Sequence, residues 1–268
     1  METSRLKNII ILTLVLTNLF LLVSLARRVS AGYTARQRTE EYLVELFASN
    51  GITLDRDAVS AKQPPSVLSL TRSTGEDQNL AVFLLGDDLS AQDEGGGIYT
   101  YQSDVGQAQF RSGGSFEVTA QIRQEDMESY LRRLCKTFGY GDLTLSLKDG
   151  SGTAKAVQYC GGLPVANATV TFTVRDGVLS FIAGAHLPNI GTAVTGGGTP
   201  LSAVTALTDF LEARRTSGAV LSKVSGVSLC YELQSTAATP MTLTPAWMIE
   251  TDTVNYYVNC MTGAVTHD

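Results

Sequence analysis

The run Ile9 to Ala26, IIILTLVLTNLFLLVSLA, holds 18 residues without a charge, and as a helix rising 1.5 Å per residue it is about 27 Å long, just enough to cross a bilayer. It is followed by Arg27-Arg28 rather than by a small-x-small cleavage site. An uncleaved single-pass anchor is therefore expected instead of a removed signal peptide. Its orientation is not set by charge, since Arg5 and Lys7 on one flank face Arg27, Arg28, Arg36 and Arg38 on the other. Within the run, Thr13, Thr17 and Ser24 fall on one helix face, with Phe20 beside them and Asn18 near mid-depth. Small hydroxylated residues let helix backbones approach, so this stripe is the candidate partner-binding face. Hydroxyls bonding back to their own helix carbonyls are the alternative.

The rest of the 268-residue chain is that of a globular protein, 44% hydrophobic and 17% charged. Residues 1–28 carry a net charge of +3 and the remainder is strongly acidic, within an overall −6. An acidic body repels phosphate backbones, so no nucleic acid is expected as a partner. With only His186 and His267 in the chain, most zinc sites and Ser-His-Asp arrangements are excluded.

Beyond Arg28 a helix is expected to run to about Ser49, where Asn50-Gly51 stops it, with Tyr42, Leu43, Leu46 and Phe47 at helical spacing. Two apolar runs, Val67 to Leu70 and Leu80 to Leu85, read as a hairpin around Ser73 to Asn79. Strands at 98–102, 107–111 and 116–122 complete a meander. A second helix spans Glu125 to Phe138, and four short alternating strands follow, two of them joined at Asp176-Gly177. A third helix, Ser202 to Arg215, precedes strands ending with Asn255 to Asn259. Helices separated by runs of consecutive strands imply an α+β fold: one N-terminal transmembrane helix, then helix-plus-antiparallel-sheet units. The expected division is a tail and anchor over 1–28, a membrane-proximal helix and sheet over 29–124, and a further α+β region over 125–268.

A helix across one face of a twisted antiparallel sheet resembles the cystatin-like fold, and two passages carry a narrower likeness. Val157 to Leu187, VQYCGGLPVANATVTFTVRDGVLSFIAGAHL, is similar to the strand, Gly-Leu-Pro-Val and hairpin layout of the YycI and YycH regulatory proteins of Gram-positive bacteria. Pro245 to Val265, PAWMIETDTVNYYVNCMTGAV, resembles the closing hairpin of PepSY-like modules. The start is also similar, with Arg5-Leu6-Lys7-Asn8 leading into one anchor. Chain length favours YycI-like over YycH-like. The resemblance implies a bacterial membrane protein with its amino terminus inside and its folded part outside. Together with a YycH-like partner, it would restrain a sensor histidine kinase of a two-component system that controls cell-wall metabolism, through contact between transmembrane helices. The other class of function is a PepSY-like module, tethered by the anchor, that binds or inhibits an extracellular peptidase or peptide.

Signatures of chemistry are missing: there is no G-x-S-x-G, no H-E-x-x-H and no P-loop lysine. No catalytic residue, metal site or cofactor is expected. His186 is expected to be structural, and the acidic stretch around Asp87, Asp88, Asp93 and Glu94 to be a solvated loop. Asn167-Ala168-Thr169 forms a glycosylation sequon. Cys135, Cys160, Cys230 and Cys260 all follow the anchor, where disulfides are permitted. Cys230 and Cys260 would face each other if the last strands are neighbours, and free buried thiols are the alternative.

Overall fold

The computed structural model describes Thr17, Asn18, Leu21 and residues 38–59, 62–71, 73–187, 191–193, 198–236 and 239–268. It is a mixed α+β fold with a large, mostly antiparallel sheet system. Among the described residues no helix is long and apolar enough to cross a membrane; the expected anchor lies almost wholly outside them.

Three times a helix is followed by four strands in an antiparallel meander. The first unit is α2 (Thr74–Leu85) with β3 (Ser90–Gly95), β4 (Ile98–Ser103), β5 (Gly106–Arg111) and β6 (Ser115–Arg123). The second is α3 (Met127–Thr137) with β7 (Tyr140–Lys148), β8 (Ser151–Cys160), β9 (Leu163–Arg175) and β10 (Val178–Ala185). Strands β6 and β10 pair antiparallel, so the two meanders join through their last strands into one sheet ordered β3-β4-β5-β6-β10-β9-β8-β7. That order is symmetric about the β6–β10 seam. Both helices cover the same face, where Leu80, Leu84, Leu131 and Leu134 meet Phe110, Phe172 and Ile182 in one buried cluster. Phe83 of α2 reaches across to Tyr130 and Phe138, with ring centroids 5.7 and 5.3 Å apart.

The third unit is α4 (Ala203–Ser217) with β12 (Lys223–Thr236), β13 (Thr239–Thr251), β14 (Asn255–Asn259) and β15 (Val265–His267). Its sheet also takes up β1 (Thr53–Leu54), parallel to β12, while β2 (Leu68–Leu70) lies between β13 and β11 (Gly191–Ala193). The start of β9 crosses from the other sheet to pair with β12 at Val165 and Tyr231. Next to that pair, the Asn167 amide acts as a strand partner, donating to the Leu233 carbonyl at 2.8 Å and accepting its N–H at 2.7 Å. The sequon asparagine is thus spent on joining two sheets.

The first helix, α1, covers 38–49. Its end is a Schellman motif: Ile52 N–H bonds the Phe47 carbonyl and Gly51 N–H that of Ala48, with Gly51 at φ 74°. Leu43 and Phe47 are buried with Phe210 and Trp247 of the third unit, whereas Tyr42 is 63% exposed. The boundary expected near Gln124 lies between β6 and α3, which bury residues in the same cluster, and α1 belongs to the cluster of residues 203–260.

Two expected elements differ. Leu80 to Leu85 is not a strand but the buried half of α2, and the polar Ser73 to Asn79 is its beginning, with Glu76 and Asp77 in the first turn and Gly86 closing it at φ 91°. A continuous apolar run fits a buried strand or a helix equally well, so periodicity misassigned it. The acidic loop contains a strand, since Ser90–Gly95 pairs with β4 as a fully exposed edge. Its carboxylates protect that edge from further pairing.

Phe172 sits at 0% exposure in the sheet shared by the first two units. Phe172→Ala is expected to destabilise by about 3–5 kcal/mol and, because the core is common, to lower one cooperative transition in urea. Two separated transitions would show that the units fold independently.

Candidate functional site

The third sheet has a dry face and a wet one. On the dry face, against α1 and α4, lie Leu229, Trp247, Ile249, Tyr256, Val258 and Cys260. Trp247 is fully buried and its indole N–H donates to the Leu201 carbonyl at 2.9 Å, so packing uses both ends of this residue. The aromatic rings continue as a ladder. Phe47 stacks on Phe210 at 6.3 Å, Phe210 meets Tyr256 at 5.0 Å, and Tyr256 meets His267 of β15 at 5.7 Å. The Arg214 guanidinium clamps the joint by donating to the Asn50 and Ala219 carbonyls, each at 3.1 Å. Helix α1 is therefore built into this unit.

On the opposite face, cross-strand register sets Glu232 beside Thr244, Ala246 between Cys230 and Asn259, and Tyr257 beside Thr266. Strands lie about 4.8 Å apart, so β12 and β15, three strands apart, would be about 14 Å apart in a flat sheet. Instead the Thr266 hydroxyl donates to Glu232 Oε1 at 3.2 Å. The sheet must curl, and its wet face forms a half-open cavity of about 320 Å³ lined by Glu232, Gln234, Thr244, Asn259, Met261 and Thr266. Asn259 and Thr244 are each 6% exposed. Burial pushes the Glu232 carboxyl above its ordinary value against the opposing pull of the Thr266 hydrogen bond. Tyr257 donates to Asp268 Oδ1 at 2.9 Å, and burial first, then that bond, raises its phenol.

Of the two readings for Cys230 and Cys260, a pairing or free buried thiols, the structure has the second: all four cysteines are free. Strand β13 runs between the strands that carry them, and Cys230 packs with Ala246 and Tyr257 on one face while Cys260 joins the core on the other. Burial, then the charge of Glu232, pushes both thiols up to about 12; burial alone is the raising influence on Cys135, at about 11. At neutral pH such thiols are protonated and weakly nucleophilic. His186 is 5% exposed among the rings of Phe116, Phe138 and Tyr140. No group of three or more metal-ligating side chains occurs among the described residues.

Of the expected membrane face, Thr17 and Asn18 are helical and exposed, and Thr13, Phe20 and Ser24 lie outside the described residues. The cavity was not read from sequence because it depends on sheet curl, which brings Glu232 to a residue 34 positions later.

Two measurements check these electrostatics. In native protein at neutral pH, a thiol reagent is expected to label partly exposed Cys160 first and to reach Cys135, Cys230 and Cys260 only on unfolding; rapid native labelling of Cys230 would contradict its burial. Because the folded state holds the Glu232 proton more tightly than the unfolded chain, stability falls as pH rises from the ordinary carboxylate range through the raised value. Glu232→Gln is expected to raise the melting temperature near pH 8 and to leave it unchanged below about pH 4. Equal effects at both pH values would show that the carboxylate charge is not the cause.

No family model matches the chain, and no curated protein does. Among solved structures, an uncharacterized protein from Eubacterium rectale ATCC 33656 is similar at 12% identity and TM-score 0.45, covering 81% of this chain and 85% of that one. The Bacillus megaterium YpeB C-terminal domain is similar at 11% identity and TM-score 0.35, covering 74% of this chain and 98% of its own. Neither likeness assigns this chain a fold family or a function.

Proposed function

We propose that the chain is a non-enzymatic, membrane-anchored accessory protein of a bacterial two-component system. Its cystatin/PepSY-like units lie outside the cell, and its anchor contacts a sensor histidine kinase. One observation carries this: the helix that follows the anchor is not a loose tether but part of the third unit's core, through Leu43, Phe47 and the Arg214 clamp. A displacement of that unit must move α1 or break a buried aromatic contact. That is the linkage required for an outer domain to shift a membrane partner between states. The raised thiols of Cys135, Cys230 and Cys260 favour binding over covalent chemistry.

A second reading, a tethered PepSY-like module that binds or inhibits a peptidase or peptide, is favoured by the polar cavity, which requires no anchor to work. Crosslinking of the full chain in the membranes of its native cells separates the two. The regulator reading expects a sensor kinase to be captured, and Thr13→Leu/Thr17→Leu/Ser24→Leu to cut capture about tenfold, the equivalent of one lost contact of 1.4 kcal/mol. A flexible Gly-Ser insertion between Arg28 and Arg38 should preserve capture but abolish control of the kinase. Capture of a peptidase that survives the triple substitution would replace the regulator with the tethered module.

A further inference from the structure

The cavity on the wet face of the third sheet contains hydrogen-bonding groups that the fold itself does not use. Glu232 is partly buried there, and among the described residues it has no ion-pair partner and one hydrogen bond, from Thr266 at 3.2 Å. A desolvated carboxylate without a cation is costly to keep. Asn259 is 6% exposed; its Oδ1 accepts the N–H groups of Met261 at 2.9 Å and Thr262 at 3.1 Å, which fixes the side chain. Its Nδ2 has no acceptor among the described residues. The hydroxyl of Thr244, which pairs with Glu232 across the strands, is likewise uncommitted there. The cavity thus offers one anionic acceptor, one hydroxyl and one oriented amide donor.

We propose that this cavity binds the free amino terminus of a peptide, with the ammonium on Glu232 and the adjacent carbonyl on Asn259 Nδ2. An ammonium has three donors and no acceptor, which Glu232 and the Thr244 oxygen can receive, while the first carbonyl of the peptide takes the amide donor. Charge-assisted bonding supplies the cation that Glu232 lacks. At about 320 Å³ the space lies at the small end of ligand sites, suited to a chain terminus rather than a folded surface. A divalent cation fits poorly: among the described residues that line the cavity, Glu232 is the one carboxylate. Capture of a terminal amine by fixed polar groups is an established mode of peptide recognition. The inference deepens the second reading, peptide binding at this cavity, and holds whichever membrane partner the anchor contacts.

Saturation-transfer NMR on the full chain in detergent micelles, with trialanine as probe, tests it. Trialanine is expected to bind saturably, and N-acetyl-trialanine, which lacks the ammonium, about tenfold more weakly. Glu232→Gln, which keeps the shape but removes the charge, should weaken trialanine by about tenfold. Equal binding of the two peptides, no saturable trialanine signal, or unchanged binding in folded Glu232→Gln would overturn the proposal. The comparison of peptides uses the unaltered protein, so a variant that fails to fold does not obscure the result.

Discussion

An antiparallel sheet can leave one face in water only if something apolar dries the other, and here each meander is dried by a helix directly before it in the chain. In the first two units the two sheets fuse at the β6–β10 seam, and α2 and α3 share a single core. The third unit meets the second at its edge through the Val165–Tyr231 pair but does not share its helix core. It recruits α1 instead, so its dry face is covered by two helices from opposite ends of the sequence, with Phe47 stacked on Phe210. A segment that chain order assigns to a membrane-proximal region thereby becomes structural material of the last unit.

What could be read from sequence follows how locally each feature is determined. Helices α3 and α4 have well-spaced apolar positions, N-caps at Asp126 and Ser202, and terminators. Asp176-Gly177, at φ 50° and 74°, forms the left-handed hairpin turn its residue types imply. The α1 stop at Asn50-Gly51 was legible for the same reason. Leu80 to Leu85 was not, because a solid apolar run has no period to distinguish helix from strand. Nor was the partner of α1, since no local pattern in Leu43 and Phe47 says whether they meet β2 nearby or α4 about 160 residues later, as the Arg214–Asn50 bond does. Long-range pairing also decided the cysteines: Cys230 and Cys260 do lie in adjoining parts of one sheet, but strand alternation sends them to opposite faces.

The candidate site shows why polar function is harder to read than packing. Glu232, Thr244, Asn259 and Thr266 are unremarkable alternating positions in four different strands, and it is curl that makes them one cavity. The anchor face, by contrast, is an expectation that helical spacing alone can generate, because a helix brings residues four and seven apart together without tertiary help; of its residues only Thr17 and Asn18 are described.

The two faces of the third sheet are mechanically one object. Strand β15 contributes His267 to the aromatic ladder on the dry face and Thr266 to Glu232 on the wet one. A ligand that draws the Glu232 carboxylate toward itself competes with the Thr266 hydroxyl for it, while β15 stays paired with β14. The next residue in the strand rests on Tyr256, which packs on Phe210, which stacks on Phe47 of α1. Contiguity of this kind is a physical route and not in itself a demonstrated coupling. It becomes coupling only if ligand binds the curled and relaxed forms with different affinity, and then α1 must respond by the same free energy with which it alters binding at the cavity.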